Sequence, residues 1–202
     1  MSDSIPGGTA REQYHDQRRR SVRWRSQRRE RHGDQHHDRQ RRGSVRRTRG
    51  GSGVASGTTI NSGGGQYVGA FGGSGVAIDT TISSGGVQGV GDDVGGSGTA
   101  IGTTILLGGS EIIASTGIDS GAQISGGEQD LFGLASGVTV FTGSQVVESG
   151  GIASNTTVSS GGSLVVLSSG LADPAIIYSG GSETISAGGT DLGALVSGTQ
   201  LD

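Results

Sequence analysis

The chain has 202 residues, of which 43 are Gly, 2 are Pro and none is Cys, and its formal net charge is -3. With 30% hydrophobic and 3% aromatic residues, a compact core of large side chains is not expected. The lack of Cys excludes a disulfide framework and thiolate chemistry. No stretch is apolar and long enough to predict a membrane-spanning helix or a signal peptide.

Residues 1–50 form a strongly basic segment. All fifteen basic side chains are Arg and lie between Arg11 and Arg49, and neither Arg, Lys nor His follows Arg49. Because the segment has almost no apolar residues to bury, we expect it to be disordered. A dense Arg run binds phosphates by releasing counterions, so a basic arm that binds nucleic acid or an anionic surface is one interpretation.

A second interpretation concerns the reading frame of this segment. The triplets YHD at 14–16 and HHD at 36–38 lie 22 residues apart, and Thr58 and Thr80 continue the series at the same interval. Codons for Thr-Thr-Ile read one base early spell His-His-Asp, and codons for Gly-Gly become Arg-rich. We therefore favour the hypothesis that residues 11–49 are a frameshifted reading of two further repeats, and no evolved nucleic-acid partner is expected.

Residues 51–202 contain eight copies of a short repeat. The phrase SGTTINSGGGQYV at 56–68 is echoed as IDTTISSGGVQGV at 78–90 and SNTTVSSGGSLVV at 154–166. The last apolar residue before each turn recurs at intervals of 22, 23, 19, 16, 18, 19 and 19 residues, at Ile60, Ile82, Ile105, Ile124, Val140, Val158, Ile177 and Val196. A β-branched run, a Ser-Gly-Gly turn and a second run predict two strands and two turns per copy.

One such copy cannot bury its apolar stripe alone, but stacked copies can. Stacking places Ile60 over Ile82 over Ile105 and builds an aliphatic column along the axis. The sequence therefore predicts an all-β, right-handed β-solenoid (β-helix) of about eight short coils over 51–202, with a disordered basic N-terminal segment over 1–50. The tight corners call for Gly, which tolerates positive φ.

Polar residues at the corners are the candidate functional residues. Six serines next to turn glycines are candidates for glycosylation or for contact with a partner, namely Ser62, Ser84, Ser125, Ser149, Ser160 and Ser179. The alternative is that each serine only makes a side-chain-to-backbone hydrogen bond within its own turn.

Catalytic and metal sites are not expected. A polysaccharide-active β-helix needs paired carboxylates or a basic residue in a groove, and the pair Glu111 and Asp130 is assigned to loops with no basic residue near. Calcium-binding solenoids use a Gly-Gly-x-Gly-x-Asp pattern that the Ser-Gly-Gly turns lack. The His and Asp residues between His32 and Asp38 have no defined ligand geometry, so neither a metal nor a cofactor is expected.

The repeat phrases at 56–68, 78–90 and 154–166 resemble the strand-loop-strand repeats of autotransporter passengers, in particular the diffuse-adherence adhesin family. The resemblance implies a right-handed solenoid at the bacterial cell surface or secreted, delivered by a C-terminal β-barrel of the full-length protein. It also implies adhesion, aggregation or biofilm formation through an unidentified host-cell or self receptor, and a glycosyltransferase that modifies the six repeat serines. The signal peptide and the barrel are expected outside this chain.

Three functions follow in order of support. The first is a non-catalytic repeat segment of a bacterial surface adhesin. The alternative from another class is a basic-tailed protein that binds nucleic acid or an anionic surface, and a polysaccharide-active enzyme is the third. Deleting residues 1–50 separates the first two, because only the basic-tailed protein would lose a salt-sensitive interaction.

Overall fold

The computed structural model describes residues 52–92 and 94–202, and all regular elements in this part of the chain are β-strands. The first four coils contain β1 (Val54–Ser56), β2 (Thr59–Ile60), β3 (Gly65–Val68), β4 (Ser74–Ile78), β5 (Thr81–Ile82), β6 (Val87–Val90), β7 (Ser97–Ile101), β8 (Thr104–Leu106), β9 (Ser110–Ile113), β10 (Ile118–Ser120) and β11 (Gln123–Leu131). The predicted basic arm and the frameshift hypothesis concern residues outside the described part.

The last four coils contain β12 (Leu134–Ser136), β13 (Thr139–Val147), β14 (Ile152–Ser154), β15 (Thr156–Val158), β16 (Gly162–Val166), β17 (Leu171–Ala172), β18 (Ala175–Ile177), β19 (Ser182–Ile185), β20 (Thr190–Asp191), β21 (Leu195–Val196) and β22 (Thr199–Leu201). All strand pairs are parallel, and each strand pairs with its counterparts one coil before and one coil after. The predicted β-solenoid of about eight coils is confirmed.

Each coil has three faces, which we name A, B and C in chain order, separated by an AB, a BC and a CA corner. Face A is an eight-stranded sheet in the order β1-β4-β7-β10-β12-β14-β17-β20. Face B runs β2-β5-β8-β11-β13-β15-β18-β21, and face C holds β3, β6, β9, β16, β19 and β22. The nine-residue strands β11 and β13 cross from face B to face C with register shifts, so the two faces form one 14-stranded sheet.

The prediction of two strands per coil was wrong, because it missed face A. The strands of face A are only two to five residues long. In β1, the central Ala55 is flanked by Val54 and Ser56, so the segment shows neither a β-branched run nor a large apolar residue on its inward side. The right-handed winding stays a prediction, in agreement with the general rule for parallel crossovers.

The predicted aliphatic column on face B is confirmed. Ile60 pairs with Ile82, and Ile82 pairs with Ile105. The same register continues through Ile124, Val140, Val158, Ile177 and Val196. All are buried except the last, which is partly buried. Burying one such side chain stabilises the fold by about 1.5–3 kcal/mol relative to leaving it exposed.

Two further interior columns complete the core. Face C contributes Val68, Val90, Ile113, Leu131, Val147, Val166 and Ile185, which lie in register from coil to coil. Face A contributes small residues, namely Ala55, Ala77, Ala100, Ala135, Ala153 and Ala172. Asp119 and Asp191 occupy the same inward position of face A in two coils.

A polar column runs through the interior beside the apolar ones, and we call it the Gln column. Its members lie in register on face C, at Gln66, Gln88, Glu111, Gln129, Gln145, Leu164, Glu183 and Gln200. Stacked amides bond to each other: the Nε2 of Gln88 donates to Oε1 of Gln66 at 2.8 Å, and the Nε2 of Gln145 donates to Oε1 of Gln129 at 2.8 Å. Buried amides are stable only when paired in this way.

Candidate functional site

The BC corner presents a recurring four-residue turn. In coil 2, the N–H of Gly86 donates to the carbonyl of Ser83 at 2.7 Å, and Gly85 between them adopts a φ of 73°. A positive φ at the third residue defines a type II turn, which is why Gly occupies that position. The second residue, Ser84, is exposed. The turn therefore holds a serine hydroxyl outward from the solenoid.

The same turn recurs in other coils and explains most of the six candidate serines. The carbonyl of the first residue accepts from the N–H of the fourth at Asn61 and Gly64, at Leu106 and Gly109, at Ser159 and Gly162, and at Tyr178 and Gly181. The second residue is the exposed Ser62, Ser160 or Ser179 in three of these turns and the exposed Leu107 in coil 3. Four of the six candidates thus share one corner and one turn position.

Neighbouring BC turns stack directly on each other. The N–H of Gly63 donates to the carbonyl of Gly85 at 3.0 Å, and the N–H of Gly161 donates to the carbonyl of Gly180 at 2.8 Å. Since paired strands lie about 4.8 Å apart, Ser62 and Ser84 are spaced by roughly one strand separation along the axis. The corner therefore carries two pairs of closely spaced hydroxyls, near the two ends of the described solenoid.

Two of the predicted serines differ from the other four. Ser125 lies inside β11 at a register shift and is half-buried, because that coil crosses the BC corner as a continuous bulged strand. Ser149 is exposed, but it lies at the CA corner, in a turn closed by the N–H of Gly151 and the carbonyl of Glu148 at 2.9 Å. The six candidates therefore do not form one continuous line.

The sequence reasoning missed two serines of the same kind, Ser115 and Ser168, both exposed at the CA corner. The turn of Ser115 is closed by Gly117 and Ala114 at 2.7 Å, and that of Ser168 by Gly170 and Leu167 at 2.9 Å. The N–H of Gly150 donates to the carbonyl of Ser169 at 3.0 Å, so the turn of Ser168 stacks on the one that holds Ser149. The missed signal was the shared pattern of a serine two residues before a glycine that immediately precedes a face A strand.

The carboxylates Glu111 and Asp130 were assigned to loops, and this was wrong. Glu111 lies in β9 and is fully buried in the Gln column, whereas Asp130 lies in β11 beside the outward Ile112. The two carboxyls therefore lie on opposite sides of the sheet and cannot act as a catalytic pair. Desolvation raises the pKa of Asp130 to about 6, with further contributions from Glu128 and Glu148.

Within residues 52–92 and 94–202, no group of three or more His, Cys, Asp or Glu side chains is placed to hold a metal ion. The same residues include no helix with the length and apolar character needed to cross a membrane. The cluster between His32 and Asp38 lies outside the described residues.

Neither a family model nor a curated protein matches the chain significantly. A solved structure does match, namely a crystal structure of a TibC-catalysed, hyper-glycosylated fragment of TibA. It is 37% identical to this chain with a TM-score of 0.67, and the match covers 73% of this chain and 54% of that one. The chain thus spans about half the length of that fragment. This chain is therefore similar, in sequence and in fold, to the passenger of an autotransporter adhesin.

Proposed function

We propose that residues 51–202 are a non-catalytic passenger segment of a bacterial surface adhesin, of the diffuse-adherence type, and that a glycosyltransferase modifies its corner serines. The observation that carries the proposal is the exposed serine in the second position of the stacked BC turns. The similar TibA fragment is described as hyper-glycosylated through TibC. That likeness supports sugar attachment to the same kind of surface in this chain.

The exposure and turn position of each serine support an order of preference among the candidate acceptors. A glycosyltransferase must reach the hydroxyl and its flanking backbone, and the exposed turn positions offer both. We infer that Ser62, Ser84, Ser160 and Ser179 are the preferred acceptors, followed by Ser115, Ser149 and Ser168 at the CA corner. The half-buried Ser125 is the poorest acceptor of the six original candidates, because its backbone is paired within β11.

Adhesion by such a surface arises from repetition. Each corner residue makes only a small contact, but a line of similar groups binds a host-cell or self surface through many weak contacts at once. The exposed Leu107 and Phe141 add apolar contacts in coils 3 and 5. Sugars on the neighbouring serines would enlarge the same surface, on a cell-surface or secreted passenger.

A display experiment tests the function. The full chain would be fused to an outer-membrane anchor, co-expressed with TibC, and scored by cell settling and by adhesion to cultured cells. A variant with the six candidate serines together with Ser115 and Ser168 changed to alanine is expected to fold, since all lie at the surface or in a bulge, and to lose most of the aggregation.

Deletion of residues 1–50 is the matched control for that experiment. Aggregation is expected to persist without this segment. If the deletion abolishes a salt-sensitive interaction and the serine variant does not, the basic-tailed binding protein replaces the adhesin as the better account.

A further inference from the structure

Two sites in the interior of the solenoid contain carboxyl groups instead of neutral side chains. Glu111 occupies the Gln column in coil 3, and Asp119 occupies the alanine position of face A at the start of coil 4. Both side chains are fully buried. A buried carboxyl group needs either a proton, a hydrogen-bond donor or a counter-charge.

The same arrangement recurs four coils later. Glu183 occupies the Gln column in coil 7, and Asp191 occupies the alanine position of face A in coil 8. The spacing from Glu to Asp is eight residues in both places, within the matching segments GGSEIIASTGIDSGA at 108–122 and GGSETISAGGTDLGA at 180–194. Glu183 is fully buried and Asp191 is half-buried.

The two positions change together along the chain. Where the Gln column has Gln or Leu, the next face A strand has alanine inward: Gln66 precedes Ala77, Gln88 precedes Ala100, Gln129 precedes Ala135, Gln145 precedes Ala153, and Leu164 precedes Ala172. Where the column has Glu, the next strand has Asp. An acid therefore appears at one position only together with an acid at the other, which indicates that the two carboxyls function as a pair.

The hydrogen bonds around Glu111 and Asp119 leave one oxygen of each carboxyl without a partner. The Nε2 of Gln129 donates to Oε2 of Glu111 at 2.8 Å and to Oδ2 of Asp119 at 3.1 Å. The remaining oxygens, Oε1 of Glu111 and Oδ1 of Asp119, are buried without a hydrogen-bond partner among the described residues. Only two carboxyls meet here, and no group of three or more His, Cys, Asp or Glu side chains among the described residues is placed to hold a metal ion. A proton on one carboxyl therefore suits the remaining oxygens better than a metal cation does.

The charges that face each pair are all negative. Asp119 is the charged group that acts on Glu111, and Thr103 and Gln129 are the polar side chains that bond to it. Asp119 also accepts from the backbone at Ser120 and Ala122, which lowers its pKa but by less than burial raises it. Asp191 and Asp202 act on Glu183, and Asp173 and Asp202 act on Asp191. Because no basic residue follows Arg49 in the sequence, the repeats themselves supply no cation to neutralise the pairs.

We propose that Glu111 and Asp119 share a proton inside the solenoid at neutral pH, that Glu183 and Asp191 form a second pair of the same kind, and that losing these protons destabilises the solenoid in alkaline solution. Two adjacent carboxyls cannot both ionise readily in a dry interior, so each pair titrates as a unit. The coils with neutral side chains at these two positions have no ionisable group there, so these positions add no pH dependence to the stability of the solenoid.

The directions of the pKa shifts agree with this proposal. Desolvation, followed by the charge of Asp119, raises the pKa of Glu111 to about 8, and desolvation raises the pKa of Asp119 to about 6. Desolvation and the charges of Asp191 and Asp202 raise the pKa of Glu183 to about 7. A carboxyl with a raised pKa binds more protons in the folded state, so stability falls as pH rises from about 4, the unfolded value, through the folded values.

Urea unfolding of the full chain at different pH values tests the proposal. The test variant converts both pairs to the neutral combination of the other coils, with Glu111→Gln, Asp119→Ala, Glu183→Gln and Asp191→Ala. We expect the wild-type urea midpoint to fall between about pH 5 and about pH 9, and the variant to lose at most about half as much. Equal losses in the two proteins would overturn the proposal.

The matched control is Asp79→Asn. Asp79 is exposed at the AB corner with a φ of 54°, and Asn155 adopts nearly the same φ of 56° at that corner four coils further on. The substitution therefore removes one carboxylate without strain and is expected to keep the wild-type pH dependence. A flattened dependence in this control would show that overall charge, and not the interior pairs, sets the effect.

Infrared spectroscopy of the wild type decides the question even if the test variant fails to fold. A protonated interior carboxyl gives a C=O stretching band separate from that of carboxylates, and we expect this band to persist at neutral pH in the folded chain and to vanish on unfolding. Its absence would refute proton sharing. An alkaline urea midpoint that rises on adding calcium would also refute it, since a bound cation would then neutralise the pair.

Discussion

The interior and the corners of this solenoid follow different sequence rules. On the inward side of face B, the eight markers from Ile60 to Val196 are all Ile or Val. At the second position of the BC turns, the residue is Ser62 or Ser84 in the first coils but Leu107 in the third. The face B position recurs in every coil and the BC turn in five of them, yet only the face B position is restricted.

The difference has a simple physical cause. An inward side chain contacts the equivalent side chains one coil above and one coil below, so a change of size or polarity affects two neighbours at once. A corner side chain points into solvent, and only the backbone of its turn is constrained. The fold is therefore maintained by the columns, while the corners remain available to vary with function.

The largest effect is expected from truncating the aliphatic column. Ile124 is fully buried between Ile105 and Val140, so Ile124→Ala should lower the free energy of unfolding by about 3 kcal/mol through lost burial and a cavity. The control is Ile112→Ala on the outer side of β9, which should cost less than about 1 kcal/mol. Equal losses in urea unfolding would mean that the column does not dominate stability.

An intermediate effect is expected within the polar column. Gln129 donates to two carboxyls, whereas Gln145 donates to the neutral amide of Gln129 and accepts from the hydroxyl of Thr156 at 2.9 Å. Because hydrogen bonds to charged groups are stronger, Gln129→Leu should cost about 2–3 kcal/mol and Gln145→Leu about 1 kcal/mol. Urea midpoints at neutral pH measure the difference.

The Gln column already contains a leucine, which supports comparing Gln129→Leu with Gln145→Leu. Leu164 is fully buried next to Gln145 in the same column, so the space on this side accepts a leucine. If Gln145→Leu proved the more costly of the two substitutions, the carboxyls next to Gln129 would not be the groups that most need a donor.

The sequence predicted the face B column residue by residue, because a β-branched residue followed within three residues by Gly marks each coil. It did not predict face A, whose inward residues are alanines in strands as short as Leu171–Ala172. Such segments lack any apolar periodicity. Their pairing becomes visible only when the coil closes and one strand stacks on the next.

The candidate site was predicted in part for a related reason. Ser62, Ser84, Ser160 and Ser179 share both a local pattern and a corner, so the pattern was sufficient. Ser149 has a similar local pattern at another corner, and the sequence alone did not separate the two. The buried position of Glu111 was missed although it occupies the repeat position of Gln66 and Gln88, because an acid was taken as a sign of exposure.

The measurement that tests the central claim most directly is site-localised mass spectrometry of the full chain co-expressed with TibC. The account predicts sugar on Ser62, Ser84, Ser160 and Ser179 and little or none on Ser120 and Ser136, which are also exposed but lie within the paired strands of face A. Equal or higher occupancy on those two face A serines would contradict the claim that the corner turn defines the functional surface.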